Sequence, residues 1–136
     1  MGKNYRLAIR VDERNDEARR AEQAGNLSKA IKLYEQNIKE NYADQVAFER
    51  LMIIYRKQKD YKDELRVINR GVELFKENMK EHLKNSLPRH VDAKKIERLS
   101  NAIMKGTGLK NKHPHFPDPI DKWIKRKEIV QKKLEK

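Results

Sequence analysis

The chain repeats itself at a spacing of 34 residues. When Gly25-Asn26-Leu27 is set against Lys59-Asp60-Tyr61, Leu27 meets Tyr61, Ile31 meets Leu65, Tyr34 meets Ile68 and Ile38 meets Val72. Upstream, Ala18 meets Met52 and Ala21 meets Tyr55. Apolar thus meets apolar at successive positions, which a chance amphipathic hairpin would not repeat in register. Periods of this length mark arrays in which one unit cannot bury its apolar face alone and must stack on a neighbour.

Within each unit the spacing is helical. Leu27, Ala30, Ile31, Tyr34 and Ile38 share one face of a helix predicted over 27–41. Phe48, Leu51, Met52 and Tyr55 do the same over 45–58, broadened by Ile53 and Ile54. The breaker-free stretch 4–24 reads as a preceding helix. A fourth starts near Tyr61, carries Leu65, Ile68, Val72 and Phe75, and runs on to about Ser86 before Pro88 stops it. A fifth is expected over 92–105 with Ile96, Leu99 and Ile103 inward. The last, over 119–134, starts with Asp118 as cap and Pro119 in first position, and presents Ile120, Trp123, Ile124, Val130 and Leu134. Nothing alternates with a period of two. The expected class is all-α, made of antiparallel helical hairpins.

Composition narrows the chemistry. None of the 136 residues is cysteine, so disulfides, thiol catalysis and cysteine-held metal are excluded. No run approaches the roughly 20 apolar residues of a membrane span, and the amino terminus lacks a signal-peptide core. A cytoplasmic protein is expected. The net charge of +12 is uneven: residues 1–75 hold 16 Lys and Arg against 13 Asp and Glu, and residues 76–136 hold 17 against 8. A basic half of this kind attracts polyanions.

With a 34-residue period and two helices per period, residues 11–78 resemble two tetratricopeptide repeats. Gly25, Leu27, Ala30-Ile31 and Tyr34 carry the likeness in the first unit, and Phe48, Leu51 and Tyr55 in the second. The resemblance implies a short right-handed superhelix, with 79–136 as a basic helical cap and 1–136 as one domain. Arg14, Glu17 and Glu64 depart from the family pattern, the last where alanine is usual. The family's first helices line a groove for a peptide or partner segment. That implies Asn15, Arg19 and Glu22 from the first unit, and Glu49, Arg50, Ile53, Arg56 and Lys57 from the second. The family's carboxylate-clamp residues are not matched at Asn15, Arg19 or Arg50.

No catalytic constellation is present in the sequence. His113 and His115 flank Pro114, but two ligands are too few for a closed metal site. Gly106-Thr107-Gly108 follows a helix and reads as its stop, not as a phosphate loop. Gly71 is expected where helices approach closely, with alanine there mild or stabilising, and Trp123 as the anchor of the last helix. The reading is a non-enzymatic adaptor without cofactor or metal. Its partner is a protein or peptide segment, acidic ones included. The alternative is a nucleic-acid binder using the basic half, weakened by the lack of interleaved aromatics for base stacking.

Overall fold

A computed structural model of the chain describes residues 2–86, 92–105 and 119–135, with side chains described for all of these but 2–4, 86, 100 and 103–105. These residues form six helices and no strand: α1 (Gly2–Gln23), α2 (Leu27–Lys39), α3 (Gln45–Lys57), α4 (Tyr61–Ser86), α5 (Ala93–Lys105) and α6 (Ile120–Leu134). The all-α architecture expected from the sequence is therefore observed.

The 34-residue period is reproduced bond by bond in the two turns. Gly25 N–H donates to Glu22 O and Asn26 N–H to Ala21 O; 34 residues later, Lys59 N–H donates to Arg56 O and Asp60 N–H to Tyr55 O. Gly25 and Lys59 both adopt left-handed backbone, φ 81° and 58°. That conformation turns the chain back while the last carbonyls of α1 and α3 still find donors. Each following helix is then capped by the next residue. Asn26 and Asp60 accept through their side-chain oxygens from the Lys29 and Asp63 N–H groups, both at 3.2 Å. Asp44 and Asp92 cap α3 and α5 in the same way.

Each turn sets its two helices antiparallel. In the first hairpin Tyr34 reaches Glu22, and Arg14 reaches Glu40 at 2.7 Å. Ala18, Ala21 and Ala30 are small enough for α1 and α2 to lie close, and all three are buried. The α2–α3 contact joins the hairpins around Tyr34, Phe48, Leu51 and Ile68, all fully buried.

The fourth helix, at 26 residues, is twice the length of α2, and it carries both α5 and α6. Trp123 anchors α6 in an aromatic triangle, 4.9 Å from Phe75 and 5.7 Å from Phe48 between ring centroids. The rings close over Gly71, whose missing side chain leaves room for them; a Cβ there would lie 3.0 Å from both Phe48 Cδ1 and Trp123 Cζ3. The expected close approach at Gly71 is present. An alanine there requires the two rings to give by a few tenths of an ångström.

Some apolar residues assigned inward face solvent. Leu27 and Leu134 stand in the first and last positions of their helices, where the facing helix no longer covers them, and are 40% and 45% exposed. Leu99 is 39% exposed, while Ile96, one turn earlier on α5, is half-buried. The side chain of Ile103, like the expected cap Asp118, lies outside the described residues. Pro119 is itself the cap position of α6, so the helix begins one residue later than expected, with the Pro119 carbonyl accepting from Trp123 N–H. Among the described residues no helix is long and apolar enough to cross a membrane.

Candidate functional site

The Glu22–Arg50 pair links α1 to α3, and around it stand five of the eight residues expected to line a groove: Arg19, Glu22, Arg50, Ile53 and Lys57. At the centre, Arg50 straddles the Glu22 carboxylate, its Nη2 donating at 2.5 Å and its Nε at 3.2 Å. Tyr34, coming from α2 beneath, donates its hydroxyl to the same carboxylate at 2.7 Å. Burial pushes the Glu22 carboxyl up, but the bonds from Arg50 and Tyr34 and the Arg50 charge outweigh it, so its pKa lies below the usual range. Burial, reinforced by the bond to Glu22, holds the Tyr34 phenol well above its ordinary value. The bond to Glu22 raises Arg50.

Two cations flank this centre. The charge of Lys57 is felt at Glu22 and that of Arg19 at Tyr34. Both side chains are exposed, and neither is held in an ion pair among the described residues. Ile53, three residues after Arg50 and four before Lys57, lies half-buried on the same face of α3. The result is a fixed ion pair with free cations and an apolar shoulder beside it. Such a face can hold an extended or helical segment by contact and charge.

The other predicted residues bond elsewhere. Asn15 is buried, 5% exposed, and donates to Asp44 at 2.7 Å and accepts from Asn37 at 2.9 Å. Asn37 in turn donates to the Val11 carbonyl and accepts from Arg14. This buried chain of amides ties α1 and α2 to the start of α3, and an unmade bond there would be costly. Glu49 turns toward α6, accepting from Gln45 at 2.6 Å and standing 3.9 Å from Lys122. Arg56 leans to Glu64 at 3.4 Å.

Glu64 is the residue whose importance was not visible in sequence. It is fully buried, yet Arg126 of α6 donates to both its oxygens, at 2.7 and 3.0 Å. That bond raises the Arg126 pKa. The signal was there as an anomaly: Glu64 sits 34 residues after Ala30, a carboxylate where the first repeat has a methyl group. Its partner, 62 residues further on, could not be chosen among so many cations.

Among the described residues no group of three or more His, Asp and Glu could hold a metal ion. His113, His115 and the Gly106–Gly108 stretch lie outside the described residues. An open cleft between α1 and α2, lined by Glu13, Glu17, Arg20 and Lys29, includes none of the eight predicted residues, and Lys29 pairs with Glu17 across it. Compared with known protein families, curated proteins and solved structures, the chain matches none.

Proposed function

We propose that the chain is a non-enzymatic adaptor: two tetratricopeptide-like hairpins over 11–78, in a short right-handed superhelix, that bind a peptide or protein segment along α1 and α3. The observation that carries this reading is the pair of free, exposed cations, Arg19 and Lys57, beside the fixed Glu22–Arg50 pair and the half-buried Ile53. Such a site recognises by fit and charge, with Glu22 and Arg50 already ordered before the partner arrives. That pre-payment of side-chain entropy favours binding. A cytoplasmic location is part of the same reading.

The rival, nucleic-acid binding through residues 76–136, draws on the exposed Lys122, Lys125, Lys132 and Lys133. Trp123, the chain's one tryptophan, is 2% exposed and offers no stacking face, so the adaptor reading stands first.

Selection of random 12-residue peptides on the immobilised full chain tests it. Enriched peptides should lose at least tenfold in affinity on Arg19→Glu with Lys57→Glu, while circular dichroism stays unchanged. Affinity unmoved by the charge reversals, or retention of oligonucleotides alone, would overturn the reading.

A further inference from the structure

The first two turns of α1 project past the end of α2. The last described bonds between α1 and the end of α2 lie at Arg10–Glu40 and at the Val11 carbonyl with Asn37, and residues 5–9 make no described side-chain bond to α2. On this overhang Tyr5 is 68% and Ile9 40% exposed, one helical turn apart on the same face. Arg6 and Arg10 line the flank of that face, both exposed, and the first acid in the chain is Asp12. An apolar strip edged by cations is thus presented at one end of the molecule, away from the bonds that hold the hairpins together.

We propose that this overhang is a second docking site, taking a short acidic segment of a partner protein that carries an apolar side chain. Charge complementarity selects the sign: Arg6 is unpaired among the described residues, and Arg10 has only a long contact at 3.9 Å. The Tyr5 hydroxyl adds a donor for a carboxylate, above a ring that packs against an aliphatic group. What selects a short polypeptide is the boundary. Asp12, Glu13, Asp16 and Glu17 follow at once on α1, all exposed. A bilayer surface or a nucleic-acid strand lying along the helix would carry its phosphates onto these four carboxylates. A segment spanning about two turns, roughly 11 Å, engages the cations and stops short of them.

The test uses the full chain and a fluorescein-labelled 12-residue peptide of alternating Glu and Leu pairs, followed by anisotropy. Binding should weaken at least tenfold on Tyr5→Ser with Ile9→Ser, and again on Arg6→Glu with Arg10→Glu, with helix content unchanged. Replacing the peptide's Glu by Gln should also abolish it, and Lys132→Glu, at an exposed position of α6, should leave it intact. No binding, or binding lost with Lys132→Glu and untouched by the overhang variants, would overturn the proposal. So would preferential binding of phosphatidylserine vesicles or of oligo-dT, and so would peptide-independent self-association abolished by Ile9→Ser.

Discussion

Arg126 donates two hydrogen bonds to Glu64, a carboxylate with no exposure at all, and so fixes the last helix to the second hairpin across 62 residues of chain. Glu64 stands where the first repeat has Ala30, and its charge is tolerable only because α6 brings a cation to it. Arg56, 3.4 Å away and nearly half exposed, is the weaker second partner.

Removing Arg126 should therefore be expensive. Arg126→Ala leaves a buried carboxylate with only Arg56, and breaking such a pair costs about 3–5 kcal/mol; the lower end is expected because one partner remains. Glu64→Leu combined with Arg126→Met should recover most of the loss, since apolar groups of similar volume replace a buried pair nearly neutrally. Urea denaturation of the wild type, Glu64→Leu, Arg126→Met and the double variant gives the coupling directly. A double variant no better than Arg126→Ala would show that the pair contributes something other than charge neutralisation.

Gly71 makes a second prediction. Alanine gains roughly 0.8–1 kcal/mol of helix propensity, but its Cβ would press at 3.0 Å on Phe48 and Trp123, two buried rings that hold each other in place. Gly71→Ala should destabilise by about 1 kcal/mol net, and Gly71→Leu by more than the usual overpacking cost of about 1–3 kcal/mol. Thermal melts decide it; a stabilised alanine variant would mean that α6 yields freely.

Lys59 holds left-handed backbone at φ 58°, where a side chain is disfavoured, in the position that Gly25 fills 34 residues earlier. Lys59→Gly should stabilise the fold by up to about 1 kcal/mol, and Gly25→Ala should destabilise it by a similar amount. Denaturant midpoints would show both, and equal signs would break the equivalence of the turns.

The period of 34, the six helices and the overrun of α4 were all legible because they rest on local signals: apolar spacing, Gly and Pro punctuation, and the reach of one turn. The described ends all held to within two residues. In the candidate site, Arg19, Arg50 and Lys57 were named through the resemblance to the repeat family, since no count along a single helix relates α1 to α3. The bonds of Asn15 could not be foreseen, because its partners Asn37 and Asp44 come from other elements. Tyr34 read as core in the sequence, and it is core, but its hydroxyl also reaches through to order Glu22.

Alkaline stability should report Tyr55. Burial, with the nearby charge of Glu35, pushes its phenol from 10.0 up to about 12. A phenol held protonated in the fold but ionising near 10 in the unfolded chain leaves stability unaffected below pH 10 and erodes it between 10 and about 12. The loss for a shift of that size is on the order of 2–3 kcal/mol. Tyr55→Phe should flatten this part of the stability curve; an unchanged slope between the two proteins would remove Tyr55 as its cause.

The most direct test of the whole arrangement, in which α6 is built into the repeat pair as its closing helix, is acrylamide quenching of the native chain's fluorescence, because Trp123 emits alone. Burial among Phe48, Phe75 and Gly71 predicts blue-shifted emission and a quenching constant many times smaller than that of free tryptophan. Emission and quenching like those of free tryptophan in the folded protein would contradict it, and would leave α6 undocked from the hairpins.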